Sequence, residues 1–362
     1  YLSQPARVGE MDLPAGAQVI RVDGQPVDQY ALDQQYRDFL YYDPHLKKWF
    51  LYPLLRIDPG ADRAGWLVGF RLADGSEVEQ LVLKRAGWIG LNRPQENAAE
   101  NIRCLMLSDQ DLYIRIATFY YERFDSDSKA LRACFDQFGA QASRLILDVR
   151  GNDGGELWSY IETIIAPLAR EEVVFSIDTA VKGSFYRWWG WRFPLYRWIN
   201  DNELTDIRTR VSAIEPQPDH PLTETGWTVR RVTRRITPSA SPYPFNGKIS
   251  ILADQVTLSA GDSFTAAMQR SGMARVYGAN TNGLGSGYQA KTVYALPNSG
   301  IMLYMDAELT LNPDGSVNNA VGTQPDVFLT PSEFPTAFPA DFTRESLLAD
   351  PWIQAVLNAD QG

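Results

Sequence analysis

Apolar positions cluster along the chain in two rhythms. LILDVRG at 145–151 and KISILAD at 248–254 are short apolar runs that end in charge or a turn residue, the pattern of strands buried on both faces. DLYIRIATF at 111–119 reads as another strand, and a polar helical segment follows over 126–139. SYIETIIAPLA at 159–169 puts Ile161, Ile164, Ile165 and Leu168 on one side of a helix. A helix is expected over 260–271, then a short strand, VYG, at 276–278 and the glycine-rich run NTNGLGSG at 280–287. Strands alternating with helices predict right-handed crossovers and a largely parallel sheet.

The first 90 residues follow another rhythm. Alternation over 16–27 breaks at Asp23-Gly24, and WLVGFRLADGSEVEQLVLKR at 66–85 breaks at Asp74-Gly75, both signatures of strands joined by tight turns. Between them Leu32, Tyr36, Leu40 and Tyr41 have helical spacing within 28–58. The prediction is a β-rich module with a helical insertion. The stretch 180–245 carries FYRWWGWRFPLYRWIN, a proline-rich loop and the basic run VRRVTRR. It reads as a packed insertion, or as a substrate lid, a partner face or a membrane-surface contact through the aromatics at 185–199. A terminal helix is expected within 345–359.

Composition narrows the function classes. Of 362 residues, 44% are hydrophobic and 22% charged, which is ordinary globular usage. No apolar run approaches the ~18 residues of a membrane span. The net charge of −10 argues against nucleic acid as a partner. Two cysteines, Cys104 and Cys134, fit neither a disulfide scaffold nor a four-ligand zinc site. They would form one disulfide in an exported protein, and their spacing alone does not decide it. Two histidines without metal-ligand spacing argue against a histidine-built metal enzyme, and no metal or organic cofactor is expected. The chain opens at Tyr1 with no charged-then-apolar leader, so it reads as a mature form or a fragment.

A serine becomes a nucleophile when it is exposed, oriented and given a base. The turn from a strand into a helix provides exposure, and the helix's free N–H groups stabilise an oxyanion. Ser259 has that setting: KISILAD ends, QVTL turns, and Ser259-Ala260-Gly261-Asp262 opens an apolar helix. The competing reading is a simple N-cap with Asp262 completing a capping box. LILDVRGNDGG at 145–155 is a strand ending in Gly151, Gly154 and Gly155, whose backbone N–H groups would turn toward a ligand; the alternative is a tight loop with no ligand.

Those two segments resemble the C-terminal-processing (tail-specific) serine proteases, a family that includes the tricorn-core proteases and related retinoid-binding proteins. The resemblance continues in order through DLYIRIATF, FNGKISILADQVTLSAGDSF, RVYGANTNGLGSG, ALPNSGIMLYMDAELTLNPDG and VGTQPDV. LPAGAQVIRVDGQPV and GWLVGFRLADGSEVEQLVLKR resemble the later half of the PDZ-like module that many members carry. The implied fold is α/β: a ClpP/crotonase-like βα superhelix core over 91–362, with a partial PDZ-like module over 1–90. The resemblance implies Ser259 as nucleophile and the N–H groups of Ala260 and of Gly154 or Gly155 as the oxyanion hole. It makes Asp262 a structural acid, and Asp148 and Arg150 braces of the loop. It also implies a peptide or protein substrate and a periplasmic or cell-envelope location.

Three departures bear on activity. The serine–lysine branch places its lysine where this chain has Leu284, and neither Lys248 nor Lys291 is visibly placed as a substitute base. The loop resembles the branch that draws a histidine from a segment before the PDZ-like module; His45 falls after that strand and His220 lies in a proline-rich loop. The acid expected near the closing motif is replaced by Asn318-Asn319-Ala320, with Glu308 a distant substitute. Two functions therefore compete: a serine peptidase-like hydrolase cleaving C-terminal segments, and an inactive peptidase-fold protein that binds a peptide or lipid. A scaffold capturing C-termini by β-augmentation is a third.

Overall fold

The computed structural model describes residues 6–8, 11–14, 17–27, 29–30, 40–43, 48–51, 65–83, 101–182, 209–283, 291–295, 302–306, 308–329 and 342–359. The chain divides into two units, one of residues 1–100 with 329–362 and one of residues 101–328.

In the first unit, β1 (Ala6–Val8) pairs antiparallel with β2 (Met11–Leu13). A four-stranded antiparallel sheet runs β4-β3-β7-β8, from β3 (Gln18–Val22), β4 (Gln25–Pro26), β7 (Gly65–Arg71) and β8 (Glu77–Leu83). Asp23 and Gly24, with φ of 51° and 79°, make the two-residue turn between β3 and β4, the left-handed pair that matches strand twist. Leu13, Val22, Trp66, Val68 and Phe70 are buried together. The helical spacing over 28–58 is only partly realised: Gln29 and Tyr30 are helical, but β5 (Leu40–Asp43) and β6 (Lys48–Leu51) form an antiparallel pair. Tyr-Tyr and Trp-Phe pairs favour a pleated surface over a helix.

The second unit is built on a six-stranded sheet of order β20-β16-β15-β11-β10-β9. Its strands are β9 (Ile102–Met106), β10 (Asp111–Ile116), β11 (Arg144–Asp148), β15 (Lys248–Ala253), β16 (Arg275–Gly278) and β20 (Val327–Phe328). All neighbours are parallel except the edge strand β9, as the alternation of strand and helix predicts. The crossovers carry α1 (Phe124–Phe138), a three-piece helix α2 (Leu157–Tyr160, Ile161–Ile165 and Ala166–Leu168) and α3 (Ala260–Arg270). Leu112, Ile114, Leu145, Leu147 and Ile251 of the sheet share a core with Phe135, Ile161, Ile164, Phe264 and Met268 of the helices. Each such side chain contributes roughly 1.5–3 kcal/mol by leaving water. A Cys104–Cys134 disulfide ties β9 to α1 across a Cα–Cα distance of 6.3 Å.

A second, antiparallel sheet of order β13-β14-β12-β19 uses β12 (Val173–Lys182), β13 (Thr209–Pro216), β14 (Trp227–Ile236) and β19 (Glu308–Leu311). The basic run lies within β14. There Arg231 forks onto Asp178 with two 2.8 Å bonds, and Arg230 reaches the buried Glu308 at 2.9 Å. The aromatic segment 185–199 lies outside the described residues. A further hairpin pairs β17 (Lys291–Ala295) with β18 (Met302–Asp306), and the helical turn α4 (Asn318–Val321) follows β19. The terminal helix is two, α5 (Arg344–Leu348) and α6 (Pro351–Ala359). Asp350 breaks the run by accepting from the N–H groups of Trp352 and Ile353, with Pro351 at the first helical position. No helix among the described residues is long and apolar enough to cross a membrane.

Candidate active site

Ser259 stands between β15 and α3 with φ 54° and ψ −122°, backbone space that a residue with a Cβ enters only under strain. Its hydroxyl does not cap α3 and hydrogen-bonds to none of the described residues. Both halves of the capping-box alternative therefore fail, because Asp262 is also engaged elsewhere. Its buried carboxylate accepts from Thr281 Oγ1 and from the Thr323 N–H at 3.1 Å. Ser259 is held from behind, its N–H donating to the Gly283 carbonyl at 2.9 Å. A Cβ on Gly283 would stand 2.2 Å from the Asn318 carbonyl oxygen, so α4 packs directly under the segment that anchors the serine.

The glycine turn after β11 comes to the same place. Gly154 (φ 93°) lies so near the serine that an added Cβ would be 2.6 Å from Ser259 Cβ and 2.9 Å from Ala260 N. Gly155 (φ 136°) lies against Phe119, where a Cβ would be 2.3 Å from the carbonyl carbon and oxygen. The Gly154 N–H donates to Asn152 Oδ1 at 2.9 Å. The N–H groups of Gly155 and Ala260, in contrast, have no partner among the described residues. The geometry thus offers two uncommitted backbone donors beside an unengaged serine hydroxyl, an arrangement able to hold an oxyanion.

Several residues that fix this arrangement carried no sequence signal of their own. Asn152 is fully buried; its side chain fixes Gly154, its Nδ2 donates to the Ile116 carbonyl at 3.1 Å, and its carbonyl accepts from Leu258 N–H at 2.9 Å. Asp254 Oδ1 accepts from the N–H of Gly151 at 2.8 Å and of Thr257 at 3.0 Å. Together they lock the glycine turn to the approach of Ser259. A short polar residue beside a glycine turn is the visible cue, but the partners that join the two loops, Leu258 for Asn152 and Gly151 for Asp254, lie more than a hundred residues away. Asp148 and Arg150 brace the same turn. Burial pushes the Asp148 carboxyl up, but the Arg150 and Arg115 charges and the Tyr113 hydroxyl outweigh it and hold it below its usual range. Arg150 Nη2 approaches it to 2.6 Å and Tyr113 Oη donates at 2.6 Å.

Neither candidate base within the described residues is at the serine. His220 caps the short helix Pro221–Thr225, its Nδ1 accepting from Leu222 N–H at 3.2 Å. Lys248 opens β15 at the opposite end from Ser259. His45 and Leu284 lie outside the described residues, as does the side chain of Lys291. Glu308 is committed to Arg230.

Residues 112–329, more than half of the chain, match the model of Peptidase family S41. The chain belongs to peptidase family S41. That membership carries the serine-peptidase function, with a peptide or protein as substrate, implied by the sequence motifs. Two solved structures, both of CPAF, share the fold. This S41 chain is similar to mature CPAF at 13% identity and TM-score 0.57, over 98% of this chain and 80% of that one. It is similar to mature CPAF complexed with lactacystin at 14% identity and TM-score 0.56, over 94% and 76%. A photosystem II D1 C-terminal processing protease aligns at 16% identity and TM-score 0.43, over 91% and 65%. No curated protein sequence matches the chain.

Proposed function

We propose that this S41 chain cleaves peptide bonds near the C-termini of peptides or proteins, with Ser259 as nucleophile. Ala260 and Gly155 N–H groups hold the tetrahedral oxyanion. The observation that carries this reading is the strained Ser259 backbone beside the uncapped helix start, since strain of about 1–3 kcal/mol persists where the surroundings enforce it. Gly154 serves by its missing side chain, because only glycine lets the turn approach Ser259. Attack by Oγ on the scissile carbonyl, its proton passing to a base, would give the tetrahedral intermediate; its collapse would break the C–N bond, the amine leaving with that proton, and water would then hydrolyse the acyl-enzyme and return a proton to Oγ. The test is covalent labelling by a fluorophosphonate, beside Ser259→Ala. Labelling of the parent protein alone is expected; equal labelling of both would overturn the assignment.

The second reading is an inactive peptidase-fold protein that binds a peptide or lipid. It is favoured by the Ser259 hydroxyl having no base among the described residues. A folded protein that resists labelling, yet binds a peptide, would support it.

Residues 1–90 serve as a partial PDZ-like module and residues 91–362 as a ClpP/crotonase-like peptidase core interrupted at about 180–245. The four-stranded antiparallel sheet and the repeated parallel strand–helix units support these readings. An exported location, periplasmic or cell-envelope, is supported by the Cys104–Cys134 disulfide, a bond that persists in oxidising compartments. The aromatic segment 185–199 would then meet a membrane surface or partner.

A further inference from the structure

The chain between β10 and α1 carries a polar clamp that the proposed chemistry does not itself use. Asn101 and Asp127 are both buried. Asn101 Oδ1 accepts from the Thr118 N–H at 2.9 Å, and its Nδ2 donates to the Thr118 carbonyl at 2.9 Å and to Asp127 Oδ2 at 2.5 Å. One amide thereby holds both backbone groups of Thr118, and the carboxylate of α1 fixes which way that amide faces. The next residue, Phe119, donates its N–H to the Gly154 carbonyl at 2.7 Å and accepts the Glu156 N–H at 2.9 Å. Gly155 sits between those two bonds, pressed against the Phe119 carbonyl.

We propose that Asn101 is a positioning residue for the oxyanion donor at Gly155, and that Asp127 sets its orientation. The proposal rests on the reading of Ser259 and Gly155 given above. Asn101 touches no reacting atom; it acts through Thr118 and Phe119. An ionised Asp127 only accepts, so it requires Nδ2 toward itself and leaves Oδ1 for the Thr118 N–H. A protonated Asp127 can donate, which lets the Asn101 amide turn over and lose both Thr118 bonds. Burial raises the Asp127 carboxyl to about 6, against the lowering effects of Asn101, Arg123 and Ser126, so the change falls near neutrality. Besides Arg123, the elements packed on α1 bring Glu122, Arg103 of β9 and Glu162 of α2 as charged groups among the described residues.

The experiment compares the full chain with Asp127→Asn and Asn101→Ala by fluorophosphonate inactivation across pH 5–8, resolving probe affinity from the maximal labelling rate. A base titrating at the serine acts alike in the parent and in Asp127→Asn, so the ratio of their rates isolates Asp127. That ratio is expected to change by about tenfold through pH 6, the size typical of a misplaced donor. Asn101→Ala is expected to lower the maximal rate by ten- to a hundredfold, with probe affinity unchanged. Amide hydrogen exchange of residues 152–157 is measured in the same three proteins, and it reports on the clamp even where no serine labels. Lower protection of Glu156, with exchange referred to the intrinsic rate at each pH, in Asn101→Ala, in Asp127→Asn throughout the range because its amide can donate, and in the parent only below pH 6, supports the clamp. A rate ratio flat with pH, or Asn101→Ala that melts earlier but keeps parental exchange at Glu156, overturns it. Absence of labelling in the parent with the expected exchange would instead sink the Ser259 reading and leave the clamp standing.

Discussion

Gly154 and Ser259, a hundred residues apart in sequence, meet so closely that a methyl on the glycine would stand 2.6 Å from the serine's Cβ. A side chain added at Gly154 must displace Ser259 or the turn itself. Gly154→Ala is therefore expected to lose fluorophosphonate labelling by at least about a hundredfold. It should also lower stability by about 1–3 kcal/mol, since φ 93° disfavours any side chain. Denaturant melts beside labelling rates check both effects.

Ser259 sits in strain, and its side chain does not cap its own helix. Ser259→Gly should therefore raise stability by about 1 kcal/mol while abolishing labelling. A serine acting as an N-cap would give the opposite sign, with a loss on substitution. Thermal unfolding of the two proteins decides between them.

Asp148 lies fully buried under Arg150. Arg150→Ala leaves that buried carboxylate with only the Arg115 charge and the Tyr113 hydroxyl and is expected to cost about 3 kcal/mol. Because the Asp148 carboxyl is held below its usual range, its stabilising contribution is present above the unfolded pKa of ~3.9 and is lost as pH falls through the native value. The penalty of Arg150→Ala, measured by urea unfolding, should accordingly shrink in strong acid.

Asp127 has the reverse linkage. Its carboxyl is raised to about 6, so its contribution is full below ~3.9 and is lost as pH rises through 6. Asp127→Asn should be more stable than the parent by about 1–3 kcal/mol at pH 7.5, with the gap closing toward pH 4. A gap independent of pH would contradict this assignment of the titration.

Reducing the Cys104–Cys134 bond, which closes a separation of 30 residues, should cost about 3–4 kcal/mol if the chain-entropy account holds. Melts with and without reductant measure it, with a Cys134→Ala protein as the reference that reductant must leave unchanged.

The apolar runs of β10, β11 and β15 determined the parallel sheet by themselves, because a strand buried on both faces leaves an unbroken mark in sequence. The ordered motifs likewise determined the family, and with it Ser259 and the glycine turn as the residues to examine. Local pattern failed where competing propensities were close, as at Tyr41-Tyr42 and Trp49-Phe50, which pair as strands rather than continue a helix. It could not tell an N-cap serine from a strained one, since both read as serine before a helix. Only the tertiary structure decided that the Ser259 hydroxyl leaves its helix uncapped, that Asn152 accepts the Gly154 N–H, and that Asn101 clamps Thr118. Each of those facts is a hydrogen bond, made or withheld, whose geometry is set by packing: the Gly154–Asn152 bond spans only two residues, and the Asn101–Thr118 bonds close the end of the antiparallel pair β9–β10, yet the residue types alone announce neither.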